Sequence, residues 1–320
     1  EINVLVGTHA LIQEQVCFKN LGLAVIDEQH RFGVRQRLQL GNKGQVPDML
    51  VMTATPIPRT LALALYGDLQ VSVIDQLPPG RRPVKTAFIP KSSRGKAYSF
   101  IRIEIEKGAQ AYIVCPIIEQ SETQDLQAAV TLHEELRDVI YPDLRVGLLH
   151  GRMKAPEKEY IMERLKKGQI DVLVTTTVVE VGIDVANVSV MLIEHAERFG
   201  ISQLHQLRGR VGRGERQSYC ILVGEPKTDD AVRRLQAMVK TNDGFELANQ
   251  DLLIRGPGDF WGVKQHGLHE LKVANLLQDQ QILTLAAEAA EKFNNQLIQD
   301  RELDQYISLK YKHDPSMTLN

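Results

Sequence analysis

Two acids close an apolar run in LGLAVIDEQHRFG (residues 21–33): Asp27 and Glu28, with His30 two positions on. Acids at the carboxyl end of a parallel strand lie where α/β sheets bind ligands. One carboxylate there can hold Mg²⁺ while its neighbour polarises an attacking water. Taken alone the pair decides little, because a solvated Asp-Glu pair after a strand is common. A second stretch is denser. In QLHQLRGRVGRGER (residues 203–216), Arg208, Arg210 and Arg213 are interleaved with Gly209, Gly212 and Gly214. Guanidinium groups fork around phosphate oxygens, and glycines let the backbone come close to a ligand. The regular spacing, preceded by Gln206, argues against an ordinary solvated basic loop. Arginines on one lobe that reach a nucleotide held on another act on the transferring phosphate.

Other polar clusters follow apolar runs. VMTATPIPRT (residues 51–60) offers the hydroxyls of Thr53 and Thr55, and TTTVVEVGIDVANV (residues 175–188) places Glu180, Gly182 and Asp184 close together. DLLIRGPGDFWGVKQHG (residues 251–267) sets Arg255, Gly256, Asp259 and Gln265 in a stretch that reads as a loop, too polar and glycine-rich for a core element. His266, His269 and Glu270 fit a polar loop face better than a metal site, and Trp261 fits an anchor for that loop better than a stacking platform. No G-x-x-x-x-G-K-[ST] phosphate cradle occurs in the 320 residues; GNKGQ near Gly41 and RGKAYS near Gly95 lack its spacing.

These residues need a scaffold. Short apolar runs predict strands at 2–6, 23–26, 49–53, 71–74, 84–89, 111–118, 145–149, 171–175, 188–193 and 218–223. Several are apolar throughout, as in a parallel sheet buried on both faces. Helical patterns fill the gaps at 58–67, 93–107, 126–140 and 156–167, and a longer one covers 273–299. QLPPGRRP (residues 76–83) suits neither helix nor strand and is the best linker candidate. The strand signal fades from about Thr228.

Composition bounds the function. With 320 residues the prior is about two domains. A formal net charge of -2 excludes a polybasic coat but leaves room for a local basic stripe. Cys115 and Cys220 lie in apolar runs and read as core thiols. With Cys17 they make an odd, scattered set without zinc spacing, which suits a reducing cytoplasm. No run is apolar and long enough to span a membrane.

In order along the chain stand GTH (7–9), DEQH (27–30), TATP (53–56), VGID (181–184) and QLRGRVGR (206–213). This set resembles the motors of superfamily 2 helicases. Residues 251–267 are similar to the translocation motif that follows the motor in two kinds of bacterial duplex-DNA translocase. One kind is the branch-migrating helicases that regress stalled forks; the other is the transcription-repair coupling factors. Residues 11–37 and 60–86 resemble the fork-regression helicases more closely, since the coupling factors would show DEEH and lack the LPPGR linker.

The resemblance implies an α/β fold. Two RecA-like doubly wound parallel-sheet lobes, the first truncated at its N-terminus, precede a mainly helical C-terminal region. The expected division is 1–76 for the first lobe, 77–83 for the linker, 84–227 for the second lobe and 228–320 for the translocation motif and helical region. It implies that Asp27 coordinates Mg²⁺ and Glu28 activates the hydrolytic water. Arg210 and Arg213 reach the phosphates of ATP, while Gly182, Asp184 and Gln206 hold the nucleotide. Gly7, Thr8 and His9 contact DNA, and Thr53 and Thr55 couple the nucleotide site to it. Arg255, Gly256, Asp259 and Gln265 turn lobe closure into movement.

The implied activity is that of an ATP-dependent DNA helicase on forks and Holliday junctions in recombination and repair. The implied protein is a cytoplasmic monomer whose partners are double-stranded and branched DNA, with other replication and repair proteins as candidates and no membrane. The phosphate cradle is expected upstream of Glu1, so the isolated chain is expected to lack ATPase activity. Two alternatives stand beside this reading: a coupling-factor motor, and a non-catalytic lobe pair that binds DNA or a partner. The intact acid pair and arginine set argue against the latter.

Overall fold

A computed structural model of the chain describes residues 2–13, 15–28, 47–53, 72–74, 76, 78, 80–116, 122–176, 185–260, 279, 282, 285–286, 288–290 and 292. The chain divides into two compact units, Glu1–Pro56 and Ile57–Asn320.

In the first unit, β1 (Leu23–Ile26) pairs in parallel with β2 (Asp48–Val51), Ile26 facing Val51. Ile12 and Ile26 are buried, with Met49 and Val51 packed on them. The strand expected at residues 2–6 is not formed. Among the described residues nothing pairs with it, and Ile2, Val4 and Val6 are exposed. A strand exists through its ladder, so apolar sequence without a neighbour does not suffice. Residues 72–74 likewise carry no strand. The helical patterns read at 58–67 and, for most of its length, at 273–299 lie outside the described residues.

The second unit is built on a six-stranded, all-parallel sheet. Its strands are β3 (Lys85–Pro90), β4 (Gln110–Val114), β5 (Val146–Leu149), β6 (Val172–Thr175), β7 (Val188–Ile193) and β8 (Tyr219–Gly224), in the order β3-β8-β7-β4-β6-β5. The apolar runs follow from burial on both faces. Tyr112, Val114, Met191 and Ile193 enter one core, and their neighbours Ala111, Ile113, Val190 and Leu192 enter the other.

Helices α1 (Arg94–Glu106) and α2 (Glu122–Glu135) cover the second core, contributing Tyr98, Ile101 and Leu132. A π-turn (Leu136–Ile140) continues α2. Helices α3 (Ala155–Lys166), α4 (Ile201–Arg208), α5 (Asp229–Lys240) and α6 (Gly244–Phe260) cover the first core, through residues such as Leu165, Leu204, Met238 and Leu247. This is the expected doubly wound arrangement.

Two helix starts are set by short polar side chains. The Thr228 hydroxyl accepts the Ala231 N–H, and the Asp243 carboxylate accepts that of Phe245 at 2.8 Å.

Residues 251–260 correct the sequence reading. They were expected in a loop, yet they form the second half of α6, which carries Arg255, Gly256 and Asp259 in helical backbone. Glycine and proline disfavour a helix by about 1 and about 3 kcal/mol. Burial outweighs them: Leu247, Asp251 and Leu252 are buried and Ile254 packs on the core, each buried leucine contributing roughly 1.5–3 kcal/mol.

Candidate functional site

In the first unit the acids sit where the sequence places them. Asp27 and Glu28 follow β1, and Thr53 follows β2 by two residues. The Met52 N–H donates to the Ile26 carbonyl at 2.8 Å, which brings Thr53 and the acid pair to one sheet edge. Asp27 is exposed. Its Oδ1 accepts the Glu28 N–H at 2.8 Å, leaving the other carboxylate oxygen without a partner among the described residues. Glu28 has φ 53°, a left-handed conformation rare for a residue with a Cβ. Strain of that kind persists where surrounding structure imposes it, often at functional positions.

Hard carboxylate oxygens suit Mg²⁺, which is usually held by one or two carboxylates together with water and substrate phosphate. Among the described residues no cluster of three or more His, Cys, Asp or Glu could enclose a metal. The acid pair therefore fits a shared Mg²⁺ and not a closed structural site. Gly7 and Thr8 are exposed and lead into a 3-10 turn (His9–Ile12). Thr55 lies outside the described residues.

In the second unit the arginine stretch separates into two parts. Residues 203–208 belong to α4, where Ile201, Leu204, Leu207 and Arg208 form the buried face. Arg208 is spent inside the fold, in keeping with Arg210 and Arg213 as the two expected phosphate ligands. Its Nη1 donates to the carbonyls of Met238 and Thr241, each at 2.9 Å, and to the Thr86 hydroxyl at 3.3 Å. Its Nη2 lies 3.0 Å from His205 Nδ1. Burial, then the Arg208 charge, pushes the His205 pKa down to about 4, so at neutral pH the ring is uncharged and Nδ1 accepts. Arg208 thus ties α4 to β3 and to the carbonyl end of α5.

Beyond α4 the chain leaves the core. Arg210 is half-buried, and among the described residues its guanidinium makes no hydrogen bond or ion pair. Arg213 is exposed and Gln206 is half-buried on the last turn of α4. The glycines have steric reasons. Gly212 has φ 79°, and a Cβ there would stand 3.0 Å from Val84. A Cβ on Gly214 would stand 2.7 Å from the Ala186 carbonyl oxygen. The loop is thereby held against residue 186. Gly182 and Asp184, just before it, lie outside the described residues, as do Glu180, Gln265, Trp261, His266, His269 and Glu270.

Several polar groups at the carboxyl edge of the large sheet were not singled out from sequence. Glu194, after β7, is buried and accepts from the Tyr98 hydroxyl at 2.9 Å, with the Arg94 guanidinium 4.0 Å away. Burial, with Glu194 next, pushes the Tyr98 hydroxyl and the Cys115 thiol above their ordinary ranges. Thr176 Oγ1 and His150 Nδ1 are buried without hydrogen-bond partners among the described residues. They directly follow the adjacent strands β6 and β5, and the Thr176 N–H donates to the Leu149 carbonyl. The available signal was a polar residue just past each apolar run. Cys115 and Cys220 are buried as expected, and Cys17 is exposed.

Comparison with known proteins specifies the family. Residues 95–215 match the helicase conserved C-terminal domain, and residues 241–308 match the domain described as ATP-dependent DNA helicase RecG, domain 3, C-terminal. The ATP-dependent DNA helicase RecG of Synechocystis sp. is 54% identical over 98% of this chain, and that of Thermotoga maritima 50% over 97%. The chain belongs to the RecG family. It spans 37% and 39% of those two RecG proteins. A solved structure of RecG bound to a three-way DNA junction is 49% identical, covers 88% of this chain and 36% of its own, and superposes with a TM-score of 0.67. Yeast Dbp5 bound to RNA and ADP BeF3 covers 77% of this chain and 66% of its own, with a TM-score of 0.51 and 13% identity. That is a likeness of fold alone. Likeness to RecG separates the chain from the coupling factors of the sequence resemblance. It also agrees with the RecA-like α/β architecture, while among the described residues no helix is long and apolar enough to cross a membrane.

Proposed function

We propose that this chain supplies part of an ATP-driven motor that moves on double-stranded DNA and acts at branched junctions. Residues 1–76 and 84–227 serve as its two lobes and 77–83 as the linker, with 228–320 as the element that converts closure into movement. The observation that carries the reading is the division of labour in the arginine loop. Arg208 is consumed by internal carbonyls, whereas the half-buried Arg210 guanidinium has no protein partner among the described residues. A half-buried guanidinium with no counter-ion among the described residues is free to take an anion, and its forked geometry suits phosphate oxygens.

In this mechanism Glu28 orients a water and takes its proton as the water attacks the γ-phosphorus of ATP. Asp27 would hold Mg²⁺, which when bound offsets charge on the phosphate oxygens. Arg210 and Arg213 neutralise the equatorial oxygens as the bond to the leaving ADP breaks. Gln206, Gly182 and Asp184 hold the base and ribose end. Gly7, Thr8 and His9 meet DNA phosphates, and Thr53 and Thr55 relay the state of the nucleotide. Arg255, Gly256, Asp259 and Gln265, the first three on α6, pass lobe closure to the duplex. Contacts to phosphate and not to bases suit a motor that must run over any sequence.

The test is ATP hydrolysis with a three-way junction, with linear duplex and without DNA. The full-length natural protein is expected to hydrolyse ATP faster with the junction than with either other condition. The isolated 320-residue chain, which contains no phosphate cradle, is expected to hydrolyse negligibly. Absence of DNA stimulation in the full-length protein would overturn the motor reading. Clear turnover by the isolated chain, lost on Glu28→Gln, would overturn the assignment of the cradle to other sequence.

A further inference from the structure

The linker reaches into the arginine loop. The chain turns at Gly80, φ 80°, where the Arg81 N–H donates to the Pro78 carbonyl at 3.2 Å. A turn with glycine at positive φ in its third position is what a Pro-Pro-Gly sequence favours. The turn delivers the Arg81 side chain to the second lobe, where its Nε donates to the Gly212 carbonyl at 2.9 Å. Gly212 lies between Arg210 and Arg213.

Three further contacts fasten the same two segments. The Gln217 side-chain amide donates to the Pro83 carbonyl at 2.8 Å, and the Lys85 N–H donates to the Ser218 carbonyl at 2.9 Å. Val84 occupies the space that a side chain on Gly212 would need. Arg81 and Val84 both meet the loop between Arg210 and Arg213, and of the two Arg81 alone holds it by a hydrogen bond. The other two contacts hold the loop's distal side, where β3 and β8 begin to pair.

We propose that Arg81 is a positioning residue for ATP hydrolysis: it fixes the Gly212 carbonyl, and through it sets the reach of Arg210 and Arg213 toward the nucleotide. The inference rests on the motor reading above and extends it to the linker. Arg81 does not itself touch the phosphates. It makes the arginine loop and the linker one mechanical piece, so a change in linker path is transmitted to Arg210 without passing through the sheet. An arginine misplaced by about 1 Å from its transition-state partner can cost about 100-fold in rate, so one hydrogen bond to a loop carbonyl is enough to matter.

The experiment is a double-mutant cycle on DNA-stimulated ATP hydrolysis by the full-length natural protein. Arg81→Met keeps the aliphatic stem and removes the donors; Arg81→Lys restores one donor on a similar stem. Arg210→Lys supplies a weakened background with residual turnover on which a further loss can be read. Arg81→Met is expected to lower kcat by about 10- to 100-fold with KM for ATP within about twofold, as for an interaction made only in the transition state. Arg81→Lys recovers most of that loss. In the Arg210→Lys background Arg81→Met has little further effect, because both changes spoil the same contact.

A purely structural role predicts a different pattern: a lowered melting temperature, and a kcat penalty that multiplies unchanged onto Arg210→Lys. That pattern, or a kcat within twofold of wild type for Arg81→Met, overturns the proposal. If Arg210→Lys itself leaves kcat unchanged, the phosphate role of Arg210 fails first, and the two failures are told apart within one data set. Should Arg81→Met not fold, Arg81→Ala, which likewise has no donor, replaces it under the same criteria.

Discussion

At the scale of single residues, two arginines two positions apart do opposite work. Arg208 closes the orphan carbonyls at the end of α5, and its neighbour His205 is held neutral to accept from it. Arg208→Met should lower unfolding stability by about 2–4 kcal/mol, since buried carbonyls lose charge-assisted donors; a urea midpoint shift measures it. His205 adds a pH dependence of definite sign. Its folded pKa, about 4, lies below the ordinary histidine value of 6.5, so between those values the unfolded chain binds more protons. Stability therefore falls as pH drops from about 6.5 toward 4. His205→Gln should flatten that slope, and an unchanged slope would assign it to other groups. Sequence could not separate Arg208 from Arg210 by type. Position carried the hint: Arg208 stands four residues after Leu204 and seven after Ile201, on the buried stripe of α4.

At the scale of elements, what was legible was what depends on local pattern. The apolar runs at 23–26 and 188–193 are strands with those bounds; burial on both faces explains the unbroken signal at 188–193, whereas Leu23 and Val25 are exposed on one face of β1. What failed depended on neighbours. Residues 2–6 have no ladder partner among the described residues, and α6 survives a Gly-Pro-Gly run because its first half is packed. The Asp27 and Glu28 edge was marked by polar residues following an apolar run, and the arginine loop by its interleaved arginines and glycines. The tether through Arg81 was not, since it joins residues 131 positions apart. The arginine loop also depends on glycine at a stated place. Gly214→Ala would drive a Cβ onto the Ala186 carbonyl. It should cut DNA-stimulated ATP turnover at least tenfold while circular dichroism stays native. Gly95→Ala, where a Cβ meets nothing within 4 Å, is the matched control and should leave turnover unchanged.

At the scale of the whole molecule, acids and arginines reside on different compact units. In the proposed motor neither set acts alone; each needs a nucleotide to bring it to the other. A net charge of -2 in 320 residues leaves room only for local basic surface. The most direct test is a cycle across the units in the full-length natural protein, reading junction-stimulated ATP hydrolysis for Glu28→Gln, Arg210→Ala and the pair. The account predicts that each single change lowers kcat by at least about 100-fold and that the pair is scarcely worse than either, as for groups serving one transition state. Turnover retained by either single variant, or losses that simply multiply, would contradict it.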